Sequence, residues 1–252
     1  MKNWVLKRSL KKTGKRDCIS TGFEELDRFI GGLKKRKVYL LGGGAGSGKT
    51  SLAQSFALNV ASQGFKVVFC GVNRGTEEVV ESLRTMVDGK TDRLKCLDIL
   101  INDLICPDIV KLLDCMVKYD SYLTADLLII DELQLLSTEN SYLTRAEEYE
   151  AILREIKEVA GFLDIPIVIV SDLADEVEIR ENHRPVIADL KEFGRIDKVA
   201  DTVILVYRDE CYDKDSELSG TMELTVAKSD TFNTGTVQIA FVKQLQRCFS
   251  HV

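Results

Sequence analysis

Proline is scarce: Pro107, Pro166 and Pro185 are the only three in 252 residues, so few breaks are forced on helices or strands. Histidine is scarcer still. His183 and His251 are the only two, which excludes a histidine-based metal cluster. The seven cysteines are odd in number and none sits in a C-x-x-C pair, which argues against a zinc site and against a disulfide framework. No stretch approaches the ~20 apolar residues of a membrane-spanning helix. The opening "MKNWVLKRSLKKTGKRD" is basic but lacks the apolar core of a secretory signal. A cytoplasmic protein with no membrane partner is therefore expected. Nor is there an internal repeat or a low-complexity block.

The remaining composition, 45% hydrophobic and 29% charged, is that of an ordinary globular chain long enough for one large domain. The net charge of -6 does not suggest a general nucleic-acid binder. The charge is uneven, with seven Lys/Arg and no acid before Asp17. Residues 1–18 read as a basic arm, either a solvated terminus or a segment touching a nucleic acid or a neighbouring subunit. Residues 19–252 read as the core domain.

Short, continuous, β-branched runs at 38–41, 66–70, 97–101, 127–131, 166–170 and 202–207 read as strands covered on both faces. Between them, helical patterns are expected at 50–63, 76–87, 107–118 and 145–163, the last with i,i+4 charge pairs. Alternation of this kind implies an α/β fold with a mainly parallel central sheet flanked by helices. After Tyr207 the pattern changes, and 221–228 with 236–242 reads as a C-terminal β-hairpin at one sheet edge.

The stretch Gly43-Gly44-Ala45-Gly46-Ser47-Gly48-Lys49-Thr50 fits G-x-x-x-x-G-K-[ST], between a strand and a helix that continues with Ser51. That is the context a phosphate cradle needs. Glycines let backbone N–H groups turn inward, and the helix N-terminus adds partial positive charge. Lys49 is expected to reach the β- and γ-phosphates of ATP or ADP, and the Thr50 hydroxyl to ligate Mg²⁺. "LLIIDE" places Asp131 at the end of a buried strand, where it would hold the same ion through water. The chain is thus expected to be a P-loop NTPase.

Further motifs carry a family resemblance. "ISTGFEELDRFIGGL" before the phosphate loop, "EYEAILREIKEVAGFLDIPIVIVS" after Asp131, "RPVIADLKEFGRIDKVADTVILVYRDE" and the closing "GTVQIAFV" together are similar to the C-terminal domain of DnaB-type replicative helicases. The similarity runs from Ile19 to Phe249. It implies a RecA-like core, a homo-oligomeric, usually hexameric ring with ATP at subunit interfaces, and single-stranded DNA in the channel. It also places Tyr207 and Arg208 near the nucleotide base or at an interface, with strand packing equally open for Tyr207. Arg184, Lys191, Glu192 and Gly194 fall at DNA-contacting positions, although Arg184 and Lys191 also fit ordinary surface charges. The acidic "DLADEVEIREN" before them weakens the electrostatic footing for DNA.

The resemblance breaks where catalysis is placed. Asn73 stands at the position of the family's catalytic glutamate, and an amide cannot accept a proton. Asp172 replaces the glutamine of the family's "S-Q-L-N-R", and its carboxylate would face and repel the triphosphate. Asp230 takes the position of the finger arginine, where the charge is worth roughly 10³–10⁵ in rate in related phosphoryl transfer. Glu132, directly after Asp131, is either a substitute base that orients water or a strand-end glutamate facing solvent. Strand alternation, which sends adjacent residues to opposite faces, favours the latter. Two functions remain. One is an ATP-driven single-stranded DNA translocase with weak hydrolysis. The other is a non-hydrolysing ATP-binding module that regulates or co-assembles with a true helicase.

Overall fold

The computed structural model describes residues 17–72, 74–102, 108, 124–138, 144–193, 199–230 and 233–250. Asn73, Gly194 and the helix expected at 107–118 lie outside the described residues, apart from Asp108, as does the arm before Asp17. Cys18 already pairs with Lys34 in a two-stranded ribbon, β1 (Cys18–Ile19) with β2 (Leu33–Lys34).

The apolar runs become six parallel strands: β3 (Val38–Gly43), β4 (Val67–Gly71), β5 (Ile99–Ile101), β6 (Leu127–Asp131), β7 (Ile167–Ser171) and β8 (Thr202–Tyr207). The hairpin β9 (Thr221–Ser229) and β10 (Gly235–Val242) continues the sheet antiparallel, and β11 (Arg247–Phe249) closes that edge. The full order is β11-β10-β9-β8-β3-β7-β6-β4-β5.

Alternation along each strand feeds two cores. Tyr39, Leu41, Val67, Phe69, Ile129 and Val168 face one side, against α1 (Glu24–Ile30), α2 (Lys49–Ser62) and α3 (Thr76–Met86). Val38, Leu40, Val68, Ile130, Ile167 and Ile169 face the other, against α5 (Arg145–Leu163), which follows the short α4 (Asp92–Lys95) in the chain. Helix α5 begins at a capping box formed by Thr144 and Glu147, and carries the Glu150–Arg154 pair at 3.0 Å. Helix α2 is buried nearly all round, with Leu52 and Phe56 wholly covered. Truncating Phe56 to Ala is worth about 3–5 kcal/mol by the usual cost of such a cavity.

Parallel register does the positioning. Gly42 lies opposite Ser171 and Gly71 opposite Asp131, so the carboxyl ends of β3, β4, β6 and β7 are level. In open α/β sheets ligands bind outside that end. Among the described residues, no helix is long and apolar enough to cross a membrane.

Candidate nucleotide-binding site

The loop between β3 and α2 is fixed by residue size and by two cations. A Cβ on Gly43 would lie 2.6 Å from Ser47 Oγ and 2.9 Å from Val206 O, so only glycine lets the chain pass. Gly48 enters the helix at φ 96°, a left-handed conformation open to glycine. Lys49 Nζ donates to Gly43 O (2.8 Å) and Gly44 O (2.9 Å). Arg208 donates from Nη2 to Gly46 O (2.8 Å) and from Nε to Ser47 O (3.1 Å), while lying over the Phe241 ring at 4.0 Å. Loop carbonyls are thus held by cations. Arg208 was expected at the nucleotide. It lines the cavity beside the loop, and its contacts are with the loop itself, with Cys211 Sγ at 3.3 Å and with Glu210 at 2.9 Å.

Asp131 stands beside the loop's far end. Thr50 Oγ1 donates to Asp131 Oδ1 at 3.2 Å, and Asp131 Oδ2 is buried without a hydrogen-bond partner. Burial pushes the Asp131 carboxyl up, opposed by the charge of Arg74, the Thr50 hydrogen bond and Lys49. A buried carboxylate with one orphaned oxygen next to a hydroxyl fits a Mg²⁺ site.

The loop and its neighbours enclose a cavity of about 450 Å³, and Asp131 lies buried behind Thr50 at its edge. Ala45, Gly46, Gly48, Lys49, Thr50 and Ser51 line it from the loop side, with Arg74, Glu132 and Asp172 facing them. The expectation from strand alternation fails at Glu132. Strand β6 ends at Asp131, and Glu132 lines the cavity, half-buried. Its carboxyl is pushed up to about 7, first by burial, then by the charge of Asp172 and a hydrogen bond to it, then by Asp131.

Asp172 does face the site, as expected, but it is neutralised. Its Oδ1 pairs with Lys49 Nζ at 2.7 Å, so the carboxylate occupies the cation meant for phosphate. Gln134, which no motif marks, locks it there. Its Oε1 accepts from Asp172 N at 3.0 Å, and its Nε2 donates to Ser171 Oγ at 2.9 Å.

Asp230 lies at the opposite end of the sheet. It pairs with Lys228 at 3.7 Å and with Lys37, directly before β3, at 3.8 Å. It does not reach the phosphate loop of its own chain, and could act only on a neighbour. Arg184 is already engaged, paired with both oxygens of Glu223 (3.0 and 3.1 Å) and lying 4.6 Å over the Tyr207 ring. Arg180 is similarly paired with Asp189 at 2.6 and 3.0 Å. The backbones of Lys191 and Glu192 belong to a short 3₁₀ helix, Ile187–Phe193.

Gln54, Ser82, Phe241, Lys243 and Gln246 also line the cavity. Phe241 lies in the closing "GTVQIAFV" run, but no motif marks the other four, which reach the cavity from separate elements brought together only by the fold.

A phosphate loop, a carboxylate at the end of the next-but-one strand and a parallel sheet with an antiparallel edge define a P-loop NTPase of RecA-like fold. The particular family follows from direct comparison. The model of the DnaB-like helicase C terminal domain matches residues 18–87 and 82–250, and the chain belongs to that family. It is 31% identical to the replicative DNA helicase DnaC of Bacillus subtilis (strain 168), over 91% of this chain and 56% of the relative. It is 30% identical to the replicative DNA helicase DnaB of Geobacillus stearothermophilus over the same shares. The chain thus spans about half the length of these curated relatives. Among solved structures, one ATPase domain superposes with a TM-score of 0.88 at 25% identity, covering 98% of this chain and 96% of that one. A DnaB-like replicative helicase studied with primase also gives 0.88 at 25% identity, covering 98% of this chain and 67% of that one. A KaiC-like protein from Pyrococcus horikoshii OT3 shares the fold at a TM-score of 0.67 and 16% identity.

Proposed function

We propose that this chain is an ATP-binding motor module of the DnaB type whose hydrolysis is impaired, working on single-stranded DNA as part of a homo-oligomeric ring. The observation that carries the reading is the Lys49–Asp172 pair at 2.7 Å inside an otherwise complete phosphate cradle. Residues 43–51 bind the phosphates. Thr50 and Asp131 would hold Mg²⁺, which would supply neutralising charge for the phosphates. ATP must displace Asp172 from Lys49. Asp172 then remains as a carboxylate near the γ-phosphate, where efficient catalysis needs donors and positive charge. Glu132 faces the cavity and can orient water, but as a base it must first lose the proton that its neighbours stabilise. Asp230 brings negative charge to the surface where the family resemblance places a cation.

Turnover should therefore lie at least ~100-fold below that of a competent relative, the ordinary cost of losing base or electrostatic catalysis. DNA contact through Arg184 requires its release from Glu223, with Lys191, Glu192 and Gly194 contributing along the same loop.

A second reading, a nucleotide-binding subunit that co-assembles with and regulates an active helicase, is favoured by the same Asp172 and Asp230 substitutions. Steady-state ATPase turnover, with and without single-stranded DNA, separates the two. Slow but DNA-stimulated turnover supports the impaired motor, absent turnover with retained ATP binding supports the regulator, and fast DNA-stimulated turnover defeats both.

A further inference from the structure

We propose that Arg74 is the residue by which this chain distinguishes a nucleoside triphosphate from a diphosphate, acting within its own subunit. The inference rests on the cavity being a nucleotide site. Glu132 and Asp172 line the cavity beside Lys49 and Thr50, and Asp131 stands directly behind the Thr50 hydroxyl, so a terminal phosphate arriving there meets two carboxyl groups with a third close by. A positive group must offset them. Lys49 is shared between Asp172 and two loop carbonyls. Arg208 also lines the cavity but is spent on Gly46 O, Ser47 O and Glu210. Lys243 enters it from the exposed turn after β10, alongside Phe241 and Gln246. Asp230, besides having the wrong sign, lies at the other end of the sheet.

Arg74 is differently placed. Val72 N donates to Asp131 O at 2.7 Å, tying the segment after β4 to the end of β6. Arg74 N then donates back to Gly71 O at 3.2 Å, a tight turn that folds the side chain over the strand end. A Cβ on Gly71 would lie 3.2 Å from Arg74 Cβ, so the absence of a side chain at Gly71 is what admits it. Arg74 lines the cavity together with Thr50, Glu132 and Asp172. Its ion pair with Glu78 is long, 3.7 Å, and both side chains are well exposed (39% and 63%), so little holds the guanidinium back from a better partner. A planar fork of N–H donors suits a terminal phosphate, which offers oxygens a diphosphate lacks at that position.

Calorimetry on the full chain with Mg²⁺ and either a slowly hydrolysed ATP analogue or ADP tests this. Arg74→Gln should weaken analogue binding about 10- to 100-fold, the typical worth of a charge-assisted contact. It should leave ADP within about threefold, and Arg74→Lys should fall between wild type and Arg74→Gln. Thermal unfolding of each variant shows whether it is folded. Equal losses for both nucleotides, or no loss for either, would overturn the assignment while leaving the nucleotide site standing. A wild-type protein that binds neither nucleotide would instead remove the reading on which the assignment rests.

Discussion

Replacing Asp172 with Asn should move stability and nucleotide affinity in opposite directions. The perturbation removes one charge and keeps the shape. In the free protein it deletes the 2.7 Å pair with Lys49, whose side chain is 7% exposed against 42% for Asp172. Because the carboxylate is partly solvated, the pair contributes about 1 kcal/mol, the upper end for accessible ion pairs. Lys49 keeps Gly43 O and Gly44 O as acceptors, so it is not orphaned. The unliganded Tm should fall by about 2–4 °C for a chain of this size. Binding gains what folding loses. ATP no longer competes for Lys49, which is worth about fivefold, and removing a unit charge near the γ-phosphate adds up to about another tenfold at an effective dielectric near 20. Differential scanning calorimetry and titration calorimetry with a Mg²⁺–ATP analogue read the two effects separately. An Asp172→Asn protein that binds the analogue no better than wild type would refute the idea that this carboxylate blocks the cradle.

Other expectations follow from the same geometry. Gly43→Ala should abolish nucleotide binding and destabilise the fold by about 1–3 kcal/mol, the cost of overpacking, because the new methyl would sit 2.6 Å from Ser47 Oγ; wild-type affinity would show that the loop relaxes freely. Glu132 carries a carboxyl raised to about 7, so wild type gives up stability as pH rises from about 4.5 through 7, where this group must ionise in a site that resists it. Without nucleotide or Mg²⁺, Glu132→Gln should therefore gain stability over wild type across that window and hold the advantage above it, and parallel unfolding curves at every pH would contradict this. Glu223→Ala should loosen Arg184, leaving it the Tyr207 ring and a 4.0 Å approach to Asp209, and tighten single-stranded DNA binding severalfold at low salt, with the gain fading as salt rises; unchanged affinity would remove Arg184 from the DNA surface.

The strands were legible because a sheet covered on both faces must be continuously apolar, and 127–131 and 202–207 coincide with β6 and β8. Helix α5 was equally clear, since its periodicity and its cap agree with each other. Strand β11, three residues long, carries too short a pattern to stand out. In the site, the phosphate loop was plain because its glycines and Lys-Thr sit in one contiguous run. Glu132 was misjudged because alternation was extended one residue beyond the strand that enforces it. Gln134 escaped notice because it acts through a contact with Asp172, 38 residues away, that no local pattern encodes, and Arg74 because its role depends on the residues of other elements that share the cavity with it. The place of Asp172 was anticipated, but its partner was not. Opposite charges 123 residues apart (172 minus 49) meet only because β3 and β7 are neighbours in register.

The central claim is that residues 43–50 form a working cradle for a nucleotide whose chemistry nearby acids have curtailed. Titration calorimetry of Mg²⁺–ADP into wild type and Lys49→Ala tests it most directly, because ADP binding does not depend on any catalytic group. Saturable uptake at one nucleotide per chain, lost in Lys49→Ala, is the expected result. Folded wild-type protein that takes up no ADP would contradict the account at its base.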